Sequence, residues 1–302
     1  MSALPALDEA PFLAAAGPRD RAWPRVLAMA AAGLTLAFIL GVIATGVMVE
    51  ALAALGIDLL NSDPIAGPPP LLRSSLYVLE ISLALGAAAL GALIAAARIF
   101  DRPLRSWITA APRFRWRQLA LGFGLGLAGA AVLSQVAGLM HGEASLSAGA
   151  PIFDDRAALQ VRMIYVAASA VGFLLAAWAE EAVFRGYVLQ QAQALTGKPY
   201  LAILVSGLLF SLVHLEFSPY ALVARAIIGA AFAWTAIRLG GLEFAIGAHL
   251  ANNMMIALFG QAMLPGDPVD PGDATGVAFE IAIALYLAGC AELLRRRRPT
   301  TS

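Results

Sequence analysis

Two adjacent glutamates, Glu180 and Glu181, stand in the stretch WAEEAVFRG, and Arg185 follows the second by four residues. The stretch is otherwise apolar enough for lipid, where an ionised side chain at a helix centre costs about 2.5–3.5 kcal/mol on insertion scales. On a helix, Glu181 and Arg185 are i,i+4 neighbours in the favourable order and can neutralise each other. Glu180 lies about 100° around the helix from Glu181 and is left without that partner. Trp178, Val183 and Phe184 would strip water from its carboxyl. A carboxylate so placed is suited to act as a general base on a water molecule. The alternative is structural, since polar groups between membrane helices also serve as inter-helix hydrogen bonds.

The other polar residues in apolar runs weigh against a purely structural role. FSLVH ends in His214 and HLANN begins with His249. Asn253 follows His249 at i+4, so both side chains project from one helical face and can act on one substrate atom. Phe210 shares a face with His214 and would wall the site on its apolar side. A lone histidine in an apolar helix is most often a packed, hydrogen-bonded residue. Two of them beside a spare carboxylate point to a centre that holds and activates water. The third histidine, His141, sits in an acidic connection and reads as solvated, and Glu80 belongs to no motif.

These residues need a bilayer-spanning scaffold. Of 302 residues, 60% are apolar and 13% charged, with a mean hydropathy of +0.79; soluble chains carry about 25% charged residues. A crossing takes about 20 apolar residues, and eight runs qualify: 26–49, 75–97, 117–140, 162–195, 200–217, 220–239, 242–264 and 276–294. The expectation is an all-α polytopic bundle of eight membrane helices. Residues 1–22 form a loosely ordered cytoplasmic tail and 23–302 a single transmembrane domain. No basic stripe with interleaved aromatics suggests nucleic acid. The single Cys290 excludes an intrachain disulfide.

Short cytoplasmic loops collect arginine and lysine. Arg19, Arg21 and Arg25, then Arg98, Arg102, Arg105, Arg113, Arg115 and Arg117, then Lys198, Arg238 and Arg295 to Arg298 alternate with acidic connections at Asp58 and Asp63, at Glu143, Asp154 and Asp155, and at Asp267, Asp270 and Asp273. Both termini are therefore expected inside, with Arg73, Arg156 and Arg162 as exceptions. The segment 100–118, with Trp107 and Trp116, would anchor topology or bind anionic headgroups. One lysine against 19 arginines suggests a GC-rich bacterial genome, and the expected location is the cell membrane, inner or plasma.

Glu-Glu-x-x-x-Arg in EEAVFR, Phe-x-x-x-His in FSLVH and His-x-x-x-Asn in HLANN occur in order on successive apolar runs over 165–262. Together they resemble the three motifs of the CPBP family of intramembrane proteases, which groups type II CAAX prenyl endopeptidases with bacteriocin-processing and self-immunity proteins. The resemblance implies a conical catalytic core from the fourth to seventh spans. It implies that Glu180 is the general base, that His214 helps hold the water, and that His249 and Asn253 stabilise the oxyanion. Glu181 and Arg185 would orient Glu180. The partners implied are membrane lipids and a protein or peptide substrate at the membrane, which need not be prenylated.

Glu180, His214 and His249 also make a donor set of the type that holds catalytic zinc, and metal-dependent and metal-free chemistry both stay open. Counted from the cytoplasmic ends, His249 lies about 10 Å deep and His214 about 20 Å, so the fifth span must start outside the membrane or tilt. Two other classes compete. A catalytically silent scaffold or immunity factor would keep its phenotype without Glu180. A proton-coupled transporter would more often show Gly/Pro-broken helices in corresponding halves, which this sequence lacks.

Overall fold

The computed structural model describes Leu7 and residues 10–61, 68–141, 150–266 and 271–296, apart from the side chains of Met140 and His141. The His141 side chain, Asp63, Glu143, Asp267, Asp270, Arg297 and Arg298 lie outside the described residues.

Each apolar run is helical: α1 (Trp23–Ala54), α2 (Pro70–Phe100), α3 (Trp116–His141), α4 (Leu159–Glu181), α6 (Pro199–Leu212), α7 (Pro219–Leu239), α8 (Glu243–Met255) and α9 (Ala274–Arg296). Between α4 and α6 the chain runs on without a break, through a widened π-helical segment, Ala182–Val188, into α5 (Leu189–Thr196). Among the described residues there is no strand, only a single bridge between Thr109 and Gly241. The chain is an all-helical, multi-pass membrane bundle.

Six of the described helices are long and apolar enough to cross a bilayer, the longest being the continuous Leu159–Thr196 at 38 residues. The fifth and seventh runs are shorter than expected. α6 has 14 residues and α8 has 13, prolonged by a second π-helical segment at Ile256–Gly260. For α8 the reason is enclosure. Eleven of its 13 residues are buried in protein, so the length that lipid demands of an exposed helix does not apply to it. α1 is the opposite case, with only Met29, Gly33 and Leu52 buried.

α2 packs between α1 and α4, α8 between α3 and α4, and α7 between α6 and α9. The α3–α8 contact is backbone on backbone. A Cβ at Gly122 would strike the Phe244 carbonyl, and one at Gly247 would strike the Leu119 carbonyl. Such approach through small residues is how helices pack where lipid provides no hydrophobic drive. At the arginine-rich end, Gly240 takes φ +68° to end α7. The turn is pinned by Ala110 N donating to Gly240 O and Leu242 N donating to Ile108 O. The buried Glu243 then accepts from Arg115 at 2.9 and 2.5 Å. That clamp fixes where α8 begins.

One expectation about this end needs correction. The N-terminal segment is docked where it is described: Phe12 and Leu13 are buried in the core. Asp20 pairs with Arg102 at 2.8 Å, and its carbonyl accepts from Gln191 at 2.6 Å. The Ala/Pro-rich composition concealed these anchors. In the 100–118 segment, Arg102 lies 3.7 Å over the Trp107 ring and Arg115 holds Glu243. Both arginines thus serve the interior.

Candidate active site

Glu180 and Glu181 occupy the last turn of α4, where normal winding gives way to the π-helical segment. π-helical insertions are frequent at functional sites. Glu181 and Arg185 are fully buried and paired, with Arg185 Nη1 donating to Glu181 Oε1 at 2.8 Å. Arg185 donates again, through Nε and Nη2, to the Gly229 carbonyl at 3.3 and 3.1 Å, and its guanidinium lies 4.2 Å over the Phe210 ring. A buried ion pair is tolerable only with such additional partners. The i,i+4 neutralisation expected from sequence is therefore present.

Glu181 also reaches α8. Its Oε1 lies 2.9 Å from His249 Nδ1. A carboxylate only accepts, so Nδ1 carries a proton and the other ring nitrogen, Nε2, faces Glu180. His249 Nε2 and Glu180 Oε2 are 3.8 Å apart. That is too long for a hydrogen bond, and it leaves room beside the line for a water oxygen to reach both. Phe232 stacks on the His249 ring, with centroids 5.2 Å apart and planes at 21°, and Phe210 meets the ring edge-on at 6.0 Å. The ring is held on one edge by a carboxylate and on its face by an aromatic.

His214 lies beyond the end of α6, one residue past its C-cap Val213, and not inside a crossing helix as expected. Its Nδ1 is 2.8 Å from the Phe210 carbonyl oxygen, and its ring contacts Phe210 edge-on at 4.9 Å. A carbonyl also only accepts, so His214, like His249, offers Nε2 to its surroundings. The two histidines line one cavity although His214 is fifteen residues after the start of α6 and His249 six after the start of α8. At 1.5 Å per residue, the starts of α6 and α8 are offset along the bundle by roughly 10–15 Å, or tilted by an equivalent amount.

Glu180, His214, His249 and Asn253 all line one cavity of about 240 Å³, closed by Val78 and Ser82 of α2 and Phe173 of α4. Glu180 Oε2 is buried and takes no hydrogen bond from the protein. A second, larger cavity of about 680 Å³ shares Glu180, His214 and Leu85 with the first. Its other walls are mainly apolar and include small residues, among them Gly33 and Ala37 of α1 and Ala88 and Ala92 of α2. The chamber that holds the imidazoles and the amide and an apolar groove thus meet at one carboxylate.

Sequence reasoning missed three contributors: the Glu181–His249 contact, the Phe232 stack and the Gly229 carbonyl. A signal for the last two exists, because Arg225, Gly229 and Phe232 recur at i, i+4 and i+7 and share one face of α7. Zinc fits the arrangement poorly. Among the described residues no three His, Cys, Asp or Glu side chains are grouped so as to hold one ion. Glu180, His214 and His249 line a common chamber without closing on a common point.

The model of the type II CAAX prenyl endopeptidase Rce1-like family matches residues 162–255, the span that carries all four chamber residues. The uncharacterized protein YyaK of Bacillus subtilis (strain 168) is 30% identical over 220 residues, covering 67% of this chain and 70% of that protein. No solved structure matches the chain. With a family model centred on the glutamates and imidazoles, and a relative extending the likeness over most of both chains, the chain belongs to the Rce1-like family of type II CAAX prenyl endopeptidases.

Proposed function

We propose that this chain is an intramembrane endopeptidase that cleaves a membrane-associated protein or peptide with a water molecule activated by Glu180. The observation that carries the reading is the buried Glu180 oxygen, which takes no hydrogen bond from the protein and faces a chamber shared with two imidazoles and an amide. Glu180 takes a proton from water, and the resulting hydroxide oxygen attacks the scissile carbonyl carbon. His214 Nε2 accepts the water's second hydrogen and orients it. The oxyanion of the tetrahedral intermediate takes hydrogen bonds from the Asn253 amide and from His249 Nε2–H. His249 donates there as an imidazolium whose charge Glu181 balances through Nδ1. Glu180 then returns its proton to the departing amine, and the C–N bond breaks.

Water and hydrogen-bond donors must be built into such a site because hydrocarbon offers neither. The apolar groove beside Glu180 suits the apolar part of a substrate arriving from the bilayer. We place the arginine-rich connections and both termini on the cytoplasmic side, following the loop charges.

The test is cleavage of membrane peptides by the purified protein in nanodiscs. Replacing Glu180 with Gln keeps the shape and removes the base, so cleavage should fall by about 10²- to 10⁴-fold with folding intact. Product formed at the wild-type rate by that variant would remove Glu180 from the mechanism. Activity that vanishes on chelation and returns with zinc would replace the metal-free step.

A further inference from the structure

His214 owes its place to a corner, not to a helix. The chain leaves α6 at Val213 and turns through Leu215 at φ +57° before entering α7 at Pro219. A left-handed conformation is unfavourable for a leucine and persists only where neighbours impose it. One neighbour is explicit. Glu216, next to Leu215, forms an ion pair with Arg225 of α7, both side chains being largely buried. The far side of the corner is tied down by Ser218 Oγ, which donates to the Pro271 carbonyl at 2.5 Å.

Arg225 stands on the α7 face that carries Gly229 and Phe232, which contact Arg185 and His249. The guanidinium therefore ties Glu216 of the corner to the helix that also carries the Gly229 and Phe232 contacts of the site.

We infer that the Glu216–Arg225 ion pair is a positioning device for His214: it holds the left-handed corner at Leu215 so that Nε2 of His214 points into the chamber beside Glu180. The inference rests on the endopeptidase reading for its consequence and on the corner's geometry for its substance. Neither residue touches the reacting atoms.

The chain has three histidines, so ring signals of protein labelled with ¹³C-histidine can be assigned by replacing each in turn. In Glu216→Gln and in Arg225→Gln, the His214 signal should shift or broaden while that of His249 stays in place. Cleavage should fall roughly 10- to 100-fold in kcat with KM nearly unchanged, the size of loss that an ångström-scale misplacement causes. The exchanged pair, Glu216→Arg with Arg225→Glu, should restore both the signal and kcat. An unmoved His214 signal in both single variants, or an exchanged pair no better than the singles, would overturn the inference. A wild-type protein that cleaves nothing would instead sink the endopeptidase reading, and the ring signals would still decide the role of the ion pair.

Discussion

The two imidazoles are seated in different ways. His249 stands within α8, a helix buried on nearly all sides, with its ring fixed by the Glu181 carboxylate and the Phe232 face. His214 stands past the end of a short helix whose outer face is exposed, held by one carbonyl and one aromatic edge. Both present Nε2 to the same chamber. The first seat is set by core packing and is difficult to move; the second depends on a corner and can be adjusted. A hydrolase has use for both, since the oxyanion donor must be preorganised, whereas the water-orienting group must also let substrate in.

The largest test of the rigid seat is Glu181→Ala. It leaves the fully buried Arg185 without its counter-ion and His249 without its anchor, and removing one partner of a buried pair typically costs about 3–5 kcal/mol. The thermal midpoint in detergent should drop sharply and cleavage should disappear. A variant of near wild-type stability would mean that Arg185 leans chiefly on the Gly229 carbonyl. Next in size is Gly247→Val. A side chain there meets the Leu119 backbone, and overpacking of this kind costs about 1–3 kcal/mol. Because α8 must move away from α3, His249 should move with it. Loss of kcat together with a shifted His249 ring signal, and an unshifted His214 signal, would sharpen the contrast between the seats.

Leu215→Gly probes the adjustable seat. Glycine adopts positive φ freely, so stability should change by no more than about 1 kcal/mol. Amide exchange over 213–218 should accelerate while exchange over 243–255 stays slow, since local opening follows local contact density. Equal acceleration in both segments would erase the distinction drawn here.

How much of this could be read beforehand follows the same division. The eight apolar runs and the Glu181–Arg185 pair are local, fixed by 3.6-residue periodicity, and the sequence displays them. The Glu181–His249 contact joins residues 68 apart, and periodicity has no information about partners in other helices. The lengths of α6 and α8 were misjudged because hydropathy does not distinguish a helix facing lipid from one enclosed by protein. His214 read as a mid-helix residue because nothing in FSLVHLEF signals a left-handed leucine, whose conformation is imposed by tertiary contacts. The docked Phe12 and Leu13 were hidden by a composition that resembles a tail.

The smallest expected effects come from α1, whose two faces do different things. Gly33 lines the apolar groove near Glu180, whereas Phe38 is 72% exposed and contributes to neither cavity. Gly33→Leu should narrow the groove at the cost of a shift in the flexible Met29 side chain beside it. Its signature should be a raised KM with kcat largely retained, the mark of lost binding common to ground and transition states. Phe38→Ala removes a larger group from the lipid-facing side, where surface changes are usually within about 0.5 kcal/mol. It should leave KM, kcat and the thermal midpoint where they were. If Phe38→Ala impaired cleavage as much as Gly33→Leu, the groove could not be the substrate's path, and α1 would be engaging substrate or a partner through its outer face instead.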